Sequence, residues 1–454
     1  MTDTATVDVG EVLERARIGG VRVLAVALCA LVALFDGFDL QIIGLAAPSI
    51  ARSLHIPVAG LGAVFSAALA GLAVGGLVLA PLADRVGRKV VLLAAVVCFG
   101  AFTLATMTAG SVPALLGYRF VTGLGLGTAV PCAISLASEL VPAGRRATIA
   151  GLLFAGFPVG GVLAGLLGSR LIPTEGWQSL FVVGGIAPLV LAVLIGFLLP
   201  ESPIFLVERG APAERIARTL ARVVPGLAVD ASTRFTGAQR RRVEKAPVRR
   251  LFDAGRRGST VLLWVASFVA FGVLVVNSSW TPTLLAPLGV PVARTAVALA
   301  LFNAGSVVAT AAGGWLITRF GARRVLPVAF ALSAVGVGGV GLVAPSTSGV
   351  AVMEVLVGLG LGCASSGVIG LAAVAYPTAI RSTGVGWALG VGRVGSFTGP
   401  LVVGVLAAAA WAVAGVFGVL GAACVLGGLA AAAMRPVRAE AAPLAPTTLT
   451  EGAA

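Results

Sequence analysis

The sequence predicts an all-α membrane protein of twelve transmembrane helices in two six-helix bundles, and three observations predict it. Of 454 residues, 58% are hydrophobic and only 11% charged, with a mean hydropathy of +1.05; a soluble domain carries about 25% charged residues. Twelve apolar runs each reach the ~20 residues that a helix needs to cross a hydrocarbon core. The two halves of the chain also repeat each other. Gly123-Leu124-Gly125-Leu126-Gly127 returns as Gly358-Leu359-Gly360-Leu361-Gly362, while Pro142, Arg146, Gly151 and Gly160 return as Pro377, Arg381, Gly386 and Gly395. Arg85 and Gly87 likewise return as Arg319 and Gly321.

The elements follow in order. Residues 1–20 carry Asp3, Asp8, Glu11, Glu14, Arg15 and Arg17 without the apolar core and small-residue cleavage site of a removable signal peptide, so they form a cytoplasmic segment. The first bundle, 21–199, holds spans 1 to 6 at 21–46, 59–80, 90–109, 112–136, 148–168 and 180–199. Between 200 and 259 the apolar runs stop and Arg240-Arg241-Arg242, Arg249-Arg250 and Arg256-Arg257 crowd a cytoplasmic loop. Within it, 213–224 reads as a surface helix with a basic face toward anionic lipid. The second bundle, 260–433, holds spans 7 to 12 at 260–284, 295–316, 325–344, 350–373, 383–407 and 411–432. The tail, 434–454, is rich in Ala, Pro and Thr and is expected to be disordered.

The charge distribution fixes the orientation. Of 32 Lys and Arg, all but Arg52, Arg119, Arg170, Arg294 and Arg393 fall on the cytoplasmic side of this arrangement. The positive-inside rule then predicts both termini in the cytoplasm, and the plasma membrane is the expected location. The net charge of +14 therefore reports topology rather than a nucleic-acid partner. Cys29, Cys98, Cys132, Cys363 and Cys424 all sit in apolar runs without CxxC spacing, and the lone His55 lies in an outer loop. No metal site, cofactor or enzymatic constellation is expected from such a set.

Charges inside the spans are the exceptions that carry chemistry. A carboxylate at the bilayer centre costs about 2.5–3.5 kcal/mol on insertion scales, so it persists where it faces protein or a wet cavity. Asp36 and Asp39, in Leu34-Phe35-Asp36-Gly37-Phe38-Asp39-Leu40-Gln41, lie one turn apart and share a helix face. At ~1.5 Å rise per residue, Asp36 in span 1 and Arg393 in span 11 both fall about 15 Å deep, near the midplane. Asp39 and Arg119 of span 4 fall at a matched depth of about 10 Å. That pair reads in two ways: a buried ion pair that orders the first bundle, or part of a cluster that handles a proton and an anion. Glu354 aligns with Arg119 by the repeat and, near the outer end of span 10, is expected to be solvated.

Particular motifs resemble a known family. Pro81-Leu82-Ala83-Asp84-Arg85-Val86-Gly87-Arg88-Lys89 resembles the loop 2/3 signature of the major facilitator superfamily, and Arg119-Phe120-Val121-Thr122-Gly123 resembles its span 4 arginine motif. Leu199-Pro200-Glu201-Ser202-Pro203 is similar to a motif of several organic-ion and sugar porters. Asp36-Gly37-Phe38-Asp39 with Gly44-Leu45-Ala46-Ala47-Pro48, Trp280-Thr281-Pro282-Thr283-Leu284-Leu285 and the run from Tyr376 to Gly395 narrow the resemblance to the aromatic acid:proton symporter family, over essentially all twelve spans.

The resemblance implies alternating access, with protons and a small aromatic carboxylate such as 4-hydroxybenzoate, protocatechuate, gentisate or benzoate as partners, in a chain that acts as a monomer within membrane lipid. Arg393 is then expected to hold the substrate carboxylate, since its planar donor fork suits bidentate binding. Asp36 and Asp39, with Arg119 beside them, are expected to carry the proton. Asn277 and Trp280, near the outer end of span 7, join Asp36 and Arg393 as substrate-binding candidates, although a Trp there is also an ordinary interface anchor. In the family an acid at the position of Asp84 faces the N-terminus of span 11 and latches the outward-open state. Asp84, Arg85, Arg88, Glu139, Arg146 and Arg381 form the expected gating set. Thr318 stands where the second copy of the loop motif would carry its acid, so the latch is one-sided. The alternatives are a proton-driven drug or metabolite antiporter of the same fold and a non-transporting sensor.

Overall fold

The computed structural model describes residues 6–227, 229, 233–236, 247–253, 256–377 and 380–434. The arginine run at 240–242 and the tail from 435 onward lie outside the described residues. Among the described residues, twelve helices are long and apolar enough to cross a membrane: Gly20–Ser53, Val58–Val86, Arg88–Thr106, Val112–Glu139, Ala143–Glu175 and Gln178–Leu198 in the first half, then Arg257–Leu288, Val292–Phe320, Ala322–Val343, Thr347–Ala375, Arg381–Ala408 and Val413–Ala433. They are spans 1 to 12. Several run past the apolar stretches that announce them. Span 1 extends through Pro48 to Ser53, because helical hydrogen bonding continues beyond the segment that must be greasy. We call the end of the molecule that carries Arg15, Arg88, Arg146 and Arg257 the basic end and the other the far end.

The repeated glycine motif has a packing cause. In span 4, a Cβ at Gly123 or Gly127 would collide with the backbone of span 2 at Ala68 and Leu72; in span 10, one at Gly358 or Gly362 would meet the backbone of span 8 at Phe302 and Ser306. Lipid offers no hydrophobic drive between helices, so close backbone approach and dispersion hold such pairs together. The same crossing is built in each bundle.

Span 2 is not regular. After Leu61–Val74 it opens into a π-helical turn at Gly75–Leu79, then closes through a tight turn at Ala80–Leu82 and a short helix at Ala83–Val86. Bulges of this kind concentrate at functional sites, because they shift the register of one helix face against its neighbours.

The bundles meet along three crossings, span 1 on span 7, span 2 on span 11 and span 5 on span 8. One continuous apolar core includes Ile42, Ala46, Ile50, Leu61 and Phe65 of the first bundle together with buried residues of the second. A separate core, with Leu28, Val32, Leu92, Leu136 and Leu153, belongs to the basic half of the first bundle alone. The bundles are therefore fused at the far end and have independent cores at the basic end.

Short elements brace the basic end. Helix Val9–Arg15 and helices Pro203–Glu208 and Ala213–Val223 pack there, and strand Thr6–Asp8 pairs in parallel with Arg234–Thr236. The helix expected at 213–224 does form, but its apolar side is spent on protein: Ile216, Leu220 and Val223 are buried in the core of the first bundle. Arg222 donates from Nη2 to the carbonyls of Phe197 and Leu198, tying it to the end of span 6.

Replacing Gly127 by Ala should lower stability by about 1–3 kcal/mol, because the new methyl must push two backbones apart. Thermal unfolding of the purified protein checks this against Gly338→Ala, where a Cβ meets nothing within 4 Å and the midpoint should hold or rise.

Candidate functional site

Span 1 is seated against span 5 at Gly37, whose missing Cβ lets the backbone of Phe157 approach directly. That contact fixes the rotation of span 1 and with it the direction of both aspartates. Asp39 turns into the first bundle. Arg119 of span 4 donates Nη1 to its Oδ1 at 3.1 Å and Nη2 to its Oδ2 at 2.6 Å, and Thr103 of span 3 donates its hydroxyl to Oδ1 at 2.9 Å. Asp39 and Arg119 are both buried, at 1% and 0% exposure. A two-pronged pair between a planar fork and a carboxylate is the strong form of ion pair, and with the threonine it satisfies Asp39 from two neighbouring helices. The matched depth read from the sequence is thus a direct contact.

Asp36 lies one turn nearer the basic end and is only partly buried. The charges acting on it are Asp39 on its own helix and Arg393 of span 11. Arg393, exposed to the space between the bundles, rests its Nη1 against Gly76, where a Cβ would stand 3.2 Å from that nitrogen. Gly76 belongs to the π-helical turn of span 2, so the irregular turn gives the guanidinium its seat. The result is one carboxyl and one guanidinium on opposite bundles near the middle of their helices, with a neutralised Asp39–Arg119 pair behind them.

Asn277 and Trp280 do not line that space in this conformation. Trp280 is fully buried, edge-on to Phe65 of span 2 with ring centroids 5.4 Å apart. Asn277 donates Nδ2 to Glu354 Oε2 at 2.7 Å, and both are closed in by protein. Glu354, expected to be solvated, has 0% exposure; the helix continues to Thr347, which sets this residue deeper than the apolar run implied.

Sequence reasoning passed over the far-end seal. Gln41 of span 1 donates Nε2 to the Ser278 carbonyl of span 7 at 3.5 Å and accepts from Asn303 Nδ2 of span 8 at 3.0 Å. Ser66 of span 2 donates to the Phe397 carbonyl of span 11 at 2.9 Å. The available signal was an amide in each of two apolar runs, Gln41 after Leu40 and Asn303 after Phe302.

At the basic end the gating candidates separate into groups. Arg88, 1% exposed, pairs with Glu139 at 3.3 Å and with Asp84 at 3.0 Å. Glu201 accepts the backbone N–H of Arg88 and of Lys89, both at 3.1 Å, capping span 3. Arg209 donates to the carbonyls of Asp84 and Arg85. Arg146, of the same expected gating set, pairs with Glu14 of the N-terminal helix at 2.8 Å, and Glu14 also accepts the Ala143 N–H at the start of span 5. Arg381 opens span 11 and is exposed. Asp84, with 72% of its side chain exposed, is engaged by Arg88 of its own hairpin, so the latch toward span 11 is not the arrangement seen here.

Two half-chain bundles joined at one end, with Asp36 and Arg393 on opposite sides, have the architecture expected of a membrane transporter. Residues 29–297 and 262–450 match the sequence profile of the Major Facilitator Superfamily. The chain is 38% identical over 400 residues to a gallate transporter of Pseudomonas putida, covering 88% of this chain and 89% of that one. It is 38% identical to a 4-hydroxybenzoate transporter of Pseudomonas aeruginosa, over 85% and 86% of the two chains. It is 33% identical to a 3-(3-hydroxy-phenyl)propionate transporter of Escherichia coli, over 90% and 92%. Its fold matches that of a D-xylose-proton symporter with a TM-score of 0.73 and 18% identity, over 91% of this chain and 98% of the other. The chain belongs to the Major Facilitator Superfamily; it is a multi-pass membrane transporter for a small molecule, not an enzyme.

Asp39→Asn should cost about 3–5 kcal/mol, since it strands a buried guanidinium. Thermal unfolding should show the loss, and Asp39→Asn combined with Arg119→Gln should recover a large part of it.

Proposed function

We propose that this protein imports a hydroxylated aromatic carboxylate, of the kind of 4-hydroxybenzoate or gallate, together with protons, by alternating access across the plasma membrane. The observation that carries the reading is the placement of Asp36 and Arg393 on opposite bundles near the middle of their helices, with Arg393 seated against Gly76 of the first bundle. When Asp36 is ionised, its charge acts on Arg393 and competes with any other anion for that guanidinium. A proton on Asp36 removes the competitor and leaves the fork for the substrate carboxylate. Loading the anion is then linked to loading the proton, which is the requirement for symport.

The names of the relatives support the substrate class, and an arginine in the central space supports an anion. Asp39 and Arg119 take a different part from Asp36 in this reading. Three donors already satisfy Asp39, so the pair positions span 1, and Asp36 carries the exchangeable proton. By the positive-inside rule the basic end is cytoplasmic, with both termini there. The far-end seal then closes the outer side, and the conformation is inward-facing. In it Asp84 is released from span 11, as an acid that latches the outward-open state should be. One chain contains both bundles and the whole path, so the monomer is the working unit.

Reconstituted in liposomes with an imposed proton gradient, the protein should accumulate labelled 4-hydroxybenzoate or gallate. Asp36→Asn should abolish accumulation while leaving substrate exchange, and Arg393→Lys should weaken binding by roughly 10- to 100-fold, the scale of a lost charge-assisted hydrogen bond. Substrate affinity should fall as pH rises in the wild type and lose that dependence in Asp36→Asn. Gradient-driven accumulation by Asp36→Asn at the wild-type level overturns the assignment.

A further inference from the structure

Span 10 encloses a carboxyl group that the proposed transport cycle has not used. Glu354 has 0% exposure, accepts one hydrogen bond from Asn277 Nδ2 at 2.7 Å, and its other oxygen, Oε1, is buried without a partner. The helices packed against span 10 are spans 7, 8, 9 and 11. Their charged groups are Arg257, Arg294, Arg319, Arg323, Arg324, Arg381 and Arg393. All but Arg393 stand in the first or last turns of their helices, and Arg393 rests against Gly76 of the other bundle. Among the described residues no cation pairs with Glu354, in contrast to Asp39, which has Arg119.

A carboxylate in that position would be a lone buried charge with one amide for support, an arrangement proteins avoid. The neutral acid fits: one oxygen accepts from Asn277 and the other bears a hydrogen. We propose that Glu354 is a second proton-binding group, placed in the second bundle, whose protonated form the sealed far end requires. Asn277, which holds it, directly precedes Ser278, whose carbonyl accepts from Gln41 of the first bundle. Asn277 also accepts at Oδ1 from Thr281, one turn on, at 3.5 Å. Ser279, Trp280 and Thr283 of the same stretch of span 7 each carry a buried polar atom without a partner. That stretch is buried against the first bundle, and its unpaired polar groups would accept water if it entered. Losing the proton from Glu354 demands water at the junction of spans 7 and 10, and admitting water there separates the residues that close the seal. The proton is taken up while the far end is open, and its presence lets span 7 close on span 1.

The proposal rests on the proton-coupled reading, but its test does not need a substrate. Infrared difference spectra of the purified, substrate-free protein, titrated with pH, should show the carbonyl stretch of a protonated, sequestered carboxylic acid. Glu354→Gln, which keeps the hydrogen bond and fixes the neutral form, should remove that band; Asn277→Ala should shift it toward a non-hydrogen-bonded acid. In liposomes Glu354→Gln should keep substrate counterflow and lose gradient-driven accumulation by about 10-fold or more, the effect of 1.4 kcal/mol or more. A wild-type spectrum without a band that both substitutions alter overturns the proposal, as does wild-type accumulation by Glu354→Gln, or loss of counterflow along with accumulation. Failure of the wild type to accumulate an aromatic acid, with the band present, overturns the transport reading and leaves Glu354 as a proton site.

Discussion

The structure is organised by the cost of placing charge in hydrocarbon. The ionisable groups deep in spans 1, 4, 10 and 11 answer it in three ways. Asp39 is matched to Arg119 and Thr103 with no lone charge left over. Asp36, partly buried, and Arg393, exposed, stand on opposite bundles without an ion-pair partner among the described residues. Glu354 is shut away with one amide. The balance among these answers separates polar groups satisfied within the fold from those left without an ion-pair partner among the described residues.

Backbone geometry makes those answers possible. Gly37 allows span 1 to lie on span 5, which turns Asp39 toward spans 3 and 4 and leaves Asp36 toward the other bundle. Gly76, in the irregular turn of span 2, leaves room for the guanidinium that comes from span 11. Interior packing has little slack, so a methyl group at either place moves a charged side chain. The glycines of spans 4 and 10 do the equivalent work for the scaffold, which is why they repeat while the charges inside the spans do not.

Asymmetry between the halves is where function enters. The first bundle has an arginine at 119 and the second a glutamate at 354, aligned by the repeat but buried against different partners. The amides of Gln41 and Asn303 bond directly across the interface at the far end, whereas Asp84, Arg88, Glu139, Glu14 and Arg146 at the basic end are engaged inside the first bundle. Polar bonds of this kind exchange for water at little net cost, which suits contacts that open and close within each cycle.

The sequence by itself determined the twelve spans, the doubled bundle and the charges that had to be accounted for. Hydropathy, glycine spacing and arginine placement are linear properties that a bilayer reads one helix at a time. It also placed Asp39 and Arg119 at one depth and Asp36 and Arg393 at another. Only the tertiary structure decided which of these touch, because contact depends on the rotation of each helix and on packing between helices distant in the chain. Arg119 reaches Asp39, Arg146 reaches Glu14, and Trp280 packs on Phe65. Glu354, on the same grounds, changed from a solvated residue near a helix end into a buried acid held by Asn277.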